Sequence, residues 1–314
     1  MKDGGGVVFK MKIIFACAAL CLPLSGETVR VFILAGQSNM EGKARNTLLD
    51  HQATDPETKK HYAAWRDDNG WIKRDDVFIK FLKRSGPLTV GFGSPNCTGP
   101  ELEFGRVVGD HFEESILLVK AAWGGHSLSH NFRPPSSGDP GDGKKFGESY
   151  QNILKELEAS KETFPKFKGH DFKLSGVFWF QGFNDQFNNS PLQYEANMKH
   201  FITDLRRDLK APDLPFVIAC LGTNYSKPPG ENTKIVQDAQ LAMNQVPKFS
   251  GNVAAFRTDE LYDKKAAELF PTWKDNVEEW KRVGSDRPYH YFGSGIWYGR
   301  IGKKAGETML SLMK

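Results

Sequence analysis

Two residues far apart in this 314-residue chain, Ser38 and His290, have the types needed for nucleophilic chemistry. Ser38 lies in Val31-Phe32-Ile33-Leu34-Ala35-Gly36-Gln37-Ser38-Asn39-Met40-Glu41-Gly42, where an apolar run gives way to a polar cluster. A serine hydroxyl is a weak nucleophile at neutral pH and needs a base within hydrogen-bond reach. Of the eight histidines, His51, His61, His111, His170 and His200 sit in charged or polar surroundings typical of a surface. His290, in Asp286-Arg287-Pro288-Tyr289-His290-Tyr291-Phe292-Gly293-Ser294-Gly295, precedes a terminal helical pattern. Each residue also has a plain structural role open to it. Ser38 could cap a helix, and His290 could pack among Tyr289, Tyr291 and Phe292. For Ser38 the two roles are compatible, since a residue at a helix start turns its own N–H toward developing negative charge.

Acyl transfer also needs donors for an oxyanion. Ala121-Ala122-Trp123-Gly124-Gly125-His126-Ser127 ends an apolar run with two glycines, where backbone N–H groups can approach a ligand unobstructed. Phe178-Trp179-Phe180-Gln181-Gly182-Phe183-Asn184-Asp185 ends another with a side-chain amide. Taken singly, either stretch is a strand-terminating turn. His126 and His130 are spaced i, i+4, as in metalloprotease helices. Ser127 stands where such a motif requires glutamate, and Gly124-Gly125 disfavours a helix, so no metal site is expected.

The elements that must carry these residues follow from periodicity. Continuous apolar runs at Val29 to Ala35, Ile116 to Trp123, Leu174 to Phe180, Phe216 to Leu221 and Val253 to Phe256 suit strands buried on both faces. Between and after them lie helical patterns at Glu148 to Phe164, Tyr194 to Leu209, Thr233 to Gln245 and Ile296 to Met313. The alternation predicts a single α/β domain over residues 27–314, a three-layer α/β/α sandwich with a central, mostly parallel five-stranded sheet. Residues 46–100, rich in charges, aromatics and Gly-Pro punctuation, read as an insertion after the first strand. Such insertions leave from strand carboxyl ends and build site walls.

At the N-terminus an apolar run from Ile13 to Leu22, preceded by Lys12 and ending near Gly26, reads as a secretory signal over residues 1–26, with a possible start at Met11. The expected location is secreted or periplasmic, with no stable membrane insertion after cleavage. Removing that segment takes away three lysines and one aspartate, lowering the net charge from +4 to +2. The remaining charges alternate in sign, as on a solvated surface, and imply no nucleic-acid partner. Cys17 and Cys21 fall in the signal, leaving Cys97 and Cys220 as buried thiols or one disulfide.

Together the four blocks resemble the SGNH (GDSL-like) hydrolases. Gly36-Gln37-Ser38-Asn39-Met40 is similar to the first block of their sialate O-acetylesterase and acetylxylan esterase branch, carbohydrate esterase family six. The resemblance runs from Val29 to about Met313 and implies a flavodoxin-like fold. It implies Ser38 as nucleophile and His290 as base. It further implies an oxyanion hole from the Ser38 N–H, the Gly125 N–H (or its neighbour Gly124) and the Asn184 side chain, with Asp185 as a structural partner. Two departures matter. The third block reads Gln181-Gly182-Phe183-Asn184-Asp185 where the branch often has Gln-Gly-Glu-x-Asp. Arg287 occupies the position, three before the histidine, where the superfamily usually has aspartate, so either Asp286 or a backbone carbonyl is expected to orient His290.

The function so implied is a serine esterase that removes O-acetyl groups from a carbohydrate such as sialic acid or xylan, with no metal or organic cofactor. Gln37, Gln181 and Arg133 are expected to bind substrate, and Trp65, Trp71 and Trp123 are further candidates for a sugar site. A non-catalytic carbohydrate-binding protein on the same fold, or a lipase or thioesterase, is the alternative.

Overall fold

The computed structural model describes Met1, residues 27–222 and residues 228–314; the expected signal at residues 1–26, apart from Met1, lies outside them. The main sheet contains β1 (Thr28–Gly36), β2 (Val77–Phe81), β3 (Arg84–Pro87), β4 (Ser115–Ala122), β5 (Asp171–Phe180), β6 (Phe216–Cys220) and β7 (Val253–Arg257). Their order is β7-β6-β5-β1-β4-β2-β3, parallel throughout except for β3, which runs antiparallel to β2.

The continuous apolar run of β1 is explained by burial on both faces. Val29, Val31, Ile33 and Ala35 pack on one side with Ile153 and Leu157 of the Glu148–Lys161 helix, Phe201 and Leu205 of the Ser190–Asp208 helix, and Val236 of the Glu231–Leu241 helix. Phe32 and Leu34 pack on the other with Leu102 and Phe104 of the Glu101–Gly109 helix and Trp297 and Ile301 of the Gly295–Leu312 helix. Ser294 caps the last of these, its side chain accepting from the Trp297 N–H. The layered α/β/α architecture is as expected. β1 lies between β4 and β5, so the strand order reverses at its carboxyl end, the place where open α/β sheets hold ligands.

Among the described residues the main sheet has seven strands instead of five. Both additional strands come from residues 46–100: β2 pairs in parallel with β4, and β3 closes the edge. In Val77-Phe78-Ile79-Lys80-Phe81 a lysine interrupts a short apolar run, yet Lys80 is buried and paired with Glu156, so the charge does not mark a surface. The Glu101–Gly109 helix, which packs against the Gly295–Leu312 helix, likewise escaped the pattern reading because it is only nine residues long.

Lys120 on β4 joins this segment to the sheet. It is fully buried, and its ammonium donates to Glu101 Oε2 at 2.7 Å, the Phe92 carbonyl at 2.8 Å and the Glu41 carbonyl at 2.9 Å. All three of its donors are therefore satisfied. Glu101, also fully buried, accepts the Gly99 N–H with its second oxygen. Cys97 and Cys220 are both buried and free, so the two are not bridged.

Removing one partner of a buried, hydrogen-bonded ion pair leaves an uncompensated charge. Lys120→Met is expected to lower unfolding free energy by about 3–5 kcal/mol, read as a lower urea midpoint; a midpoint equal to that of the wild type would contradict this role.

Candidate active site

Ser38 opens a single helical turn, Ser38–Glu41, directly after β1. Gly36 is required there by close approach, because a Cβ would lie 2.2 Å from the Phe180 carbonyl oxygen. Gln37 occupies the cap position, and its side chain does not cap the helix. The serine hydroxyl is thus free for another partner. His290 Nε2 lies 2.9 Å from Ser38 Oγ across a separation of 252 residues.

His290 reaches this position through an unusual turn. Tyr291 and Phe292 have φ of 56° and 57°, a left-handed conformation that is costly for bulky side chains. Both are buried, and packing overrides that cost. The Tyr291 hydroxyl accepts the Gly222 N–H at 3.0 Å and bonds Thr258 Oγ1 at 2.9 Å, while its ring packs on Trp297. Phe183 stacks over the imidazole, with centroids 6.5 Å apart.

Burial, reinforced by the positive charges of Lys43 and Arg287, pushes the His290 imidazole down to about 4 from its ordinary 6.5; the Glu41 charge and the Arg287 carbonyl oppose this less strongly. The ring is therefore neutral at pH 7, as a general base must be. Nδ1 is buried and makes no hydrogen bond of ordinary geometry among the described residues. Asp286 does not come to it. Its carboxylate takes a bidentate pair of hydrogen bonds from Arg45, both 2.7 Å, and Arg45 holds its carboxyl below the usual carboxylate range.

Asn184 is placed by Gln37. The Gln37 Nε2 donates to Asn184 Oδ1 at 3.0 Å, and Gln37 Oε1 receives the Asn184 N–H at 3.3 Å. With its oxygen so engaged, the Asn184 amide can use Nδ2 as a donor. Asp185, fully buried, accepts the Leu128 and Ser129 N–H groups, each at 2.8 Å, and Gln181 Nε2 at 2.6 Å. Burial raises its carboxyl above the ordinary carboxylate value, against those hydrogen bonds.

Within the glycine pair, Gly124 is engaged by Glu41, which the sequence did not single out. Glu41 accepts the Gly124 N–H at 2.7 Å, together with Lys43 Nζ at 2.6 Å and Ser94 Oγ at 2.9 Å. Burial alone would raise the Glu41 carboxyl, but Lys43, Ser94 and the Gly124 N–H together hold it below the usual range. The Gly124 N–H is consumed, which leaves Gly125, at φ 78°, as the glycine with a donor to offer. The only available signal was position: Glu41 lies one helical turn after Ser38.

The residues expected to bind substrate are turned inward. Gln37 is fully buried, and its Oε1 also receives Gln181 Nε2 at 3.1 Å and the Gly182 N–H at 3.2 Å. Gln181 further donates to the His126 carbonyl and accepts from the Tyr194 hydroxyl, each at 3.0 Å. Arg133 is spent on the carbonyls of Ser129, Ser137 and Gly138, with a longer bond of 3.4 Å to Gln193 Oε1. All three therefore build the walls instead of contacting solvent, because each polar group finds a protein partner at a strand end or loop. Trp65 is likewise buried, donating to Glu103, and Trp71 donates to Asp50. Trp123 is half-buried and stacks with His126, whose Nδ1 bonds Ser149.

The titration of His290 tests the electrostatics directly. Its imidazole C2 proton resonance is expected to move near pH 4; a midpoint near 6.5 would show that the ring is not desolvated.

A family model described as "Carbohydrate esterase, sialic acid-specific acetylesterase" matches residues 28–269. Among solved structures, a protein from Arabidopsis thaliana is similar over 91% of this chain and 99% of its own, at 20% identity and a TM-score of 0.55. NanS is similar over 77% of this chain and 80% of its own, at 17% identity and a TM-score of 0.50. A carbohydrate acetylesterase from Xanthomonas citri matches 74% of this chain and 51% of its own, at 15% identity and a TM-score of 0.48. At these identities the likeness is one of fold. No curated protein sequence matches the chain.

Proposed function

We propose that this chain, which belongs to the sialic acid-specific acetylesterase family of carbohydrate esterases, is a secreted serine esterase that removes O-acetyl groups from a sugar through an acetyl-Ser38 intermediate. The observation that carries this reading is the 2.9 Å contact between His290 Nε2 and Ser38 Oγ, made by a ring held neutral. Secretion rests on the apolar run from Ile13 to Leu22.

Ser38 Oγ attacks the acetyl carbonyl carbon while His290 Nε2 takes the hydroxyl proton. The carbonyl π electrons move onto oxygen, which is held by the Ser38 and Gly125 N–H groups and by Asn184 Nδ2. The first N–H groups of a helix have no partner within it, so that of Ser38 is available. As the tetrahedral species collapses, the bond to the sugar oxygen breaks and His290 returns the proton to that oxygen. Water, activated by the same ring, then attacks the acetyl group, releasing acetate and restoring Ser38.

Ser38 and His290 act as a dyad in this scheme, and Asp286 stands outside it because its carboxylate is spent on Arg45. Nε2 accepts from Ser38, so the single proton of the neutral ring sits on Nδ1. That tautomer is the one a base requires. Enclosure of the ring and the nearby Arg287 carbonyl maintain it, without an anion to stabilise the imidazolium, and the oxyanion donors carry correspondingly more of the transition-state charge.

Release of acetate from 4-nitrophenyl acetate tests the scheme. Ser38→Ala and His290→Ala are expected to lower kcat about 10³-fold or more, and Asn184→Ala about 10²- to 10³-fold. Asp286→Ala, which breaks a largely exposed ion pair, is expected to cost less than about tenfold. A wild-type rate no higher than that of Ser38→Ala would make the chain a binding protein on this fold. A preference for longer acyl esters over acetate would make it a lipase or thioesterase.

A further inference from the structure

A groove of about 480 Å³ opens beside Asn184, between the loop at Ser127 to Lys144 and the start of the Ser190–Asp208 helix. Two chains of contact connect it to the reacting atoms. On one side Ser38 adjoins Gln37, which holds Asn184, and Asn184 itself lines the groove. On the other, His290 is stacked on Phe183, Phe183 meets Phe187 edge-on with centroids 5.9 Å apart, and Phe187 adjoins Asn188 in the groove wall. Phe187 is 52% exposed. A single exposed aromatic is ordinary on a protein surface. This one continues a stack that begins on the candidate base.

The lining is neutral in effect. Asp142 lies 3.9 Å from Lys144, so these opposite charges face one another, and 3.6 Å from His130 Nε2. What remains are amides and hydroxyls: Asn188 and Gln193 are exposed, Gln193 Oε1 accepts from Arg133 at 3.4 Å and leaves Nε2 to offer, and Ser129 pairs with Ser190 through their hydroxyls at 2.9 Å. An amide both donates and accepts, as does each hydroxyl of a pyranose, whereas the C–H face of the ring suits an aromatic surface. The lining itself is polar apart from Pro140, and the exposed Phe187 ring stands outside it, next to Asn188; converging polar groups in a concave site are what orient a small ligand.

We infer that this groove is the subsite for the sugar itself: Asn188 and Gln193 bind ring hydroxyls, and Phe187 packs on the C–H face while the acetyl group reaches Ser38. The inference rests on the esterase reading for the direction in which the sugar lies, but not for its binding. It separates two tasks that the sequence had assigned together. The buried amides Gln37 and Gln181 hold the oxyanion donor in place, and the exposed Asn188 and Gln193 recognise the substrate.

The test compares two substrates in the full chain, a methyl O-acetyl-pyranoside and 4-nitrophenyl acetate. Asn188→Gly is chosen because Asn188 has a φ of 57°, which glycine adopts without strain. In the double variant Asn188→Gly with Gln193→Ala, the ratio of kcat/KM for the pyranoside to that for the aryl ester is expected to fall about tenfold or more, chiefly through KM. Phe187→Ala, a change at an exposed residue beside the lining, is expected to lower the same ratio. A ratio within about twofold of wild type in both variants would overturn the subsite. A second arm needs no turnover. With Ser38→Ala, saturation-transfer NMR should show contact to the pyranoside ring protons, and that signal should vanish when Asn188→Gly and Gln193→Ala are added. Ring contact that persists undiminished places the sugar elsewhere. If the wild type releases no acetate, the esterase reading fails while this arm still decides the groove.

Discussion

The site depends first on one buried amide. The side chain of Gln37 takes three N–H groups from the end of β5 onto Oε1 and returns Nε2 to Asn184. It therefore binds the residue before Ser38, the proposed nucleophile, to Asn184, the proposed oxyanion amide, across two neighbouring parallel strands. In a low-dielectric interior such a network holds its donors where charge will develop, so the reorganisation that water would undergo is avoided. Asp185 extends the same logic to the third strand end by gathering the N–H groups of Leu128 and Ser129. Loops that carry active groups are usually the mobile parts of a fold; here buried polar side chains make three of them one unit.

His290, the proposed base, is positioned by a different means. Among the described residues no carboxylate meets His290 Nδ1, and the Arg287 carbonyl, which acts on the ring without a hydrogen bond of ordinary geometry, offsets only part of the cost of an unpartnered buried donor, about 1–3 kcal/mol. Two left-handed aromatic residues follow it at further cost. Both are tolerated because Tyr291 and Phe292 are driven into the core between the sheet and the Gly295–Leu312 helix. Apolar packing thus fixes the direction of the imidazole, and the enclosure that packing provides keeps the ring neutral.

Charges around the site divide by burial. Glu41, Lys43 and Ser94 form a cluster that spends a carboxylate on the Gly124 N–H and thereby selects which glycine remains free. Lys120 and Glu101, buried beneath it, attach the first turn after β1 to residues 92–101. Arg45 and Asp286 lie nearer solvent and clamp the loop before His290 from outside. The segment between β1 and the Glu101–Gly109 helix is consequently part of the architecture: it supplies two strands of the main sheet and several of the groups on which the Ser38 turn rests.

The five expected strands, the four expected helices and the placement of Ser38, Gly124-Gly125 and Asn184 at three strand ends were legible in the sequence, because each is a local property. An apolar run buried on both faces, followed by glycine and polar residues, declares both the strand and where it stops. Proximity of Ser38 to His290 could be expected from the resemblance of four blocks, whereas their 2.9 Å contact is a tertiary fact. Tertiary structure alone decided that Asp286 turns to Arg45, 241 positions away, that Gln37, Gln181 and Arg133 face inward, and that Val77–Phe81 completes the sheet. The physical reason is common to all of these. A charged or amide side chain is indifferent to the period of its own segment and takes its direction from whichever distant group can satisfy its hydrogen bonds once water is excluded.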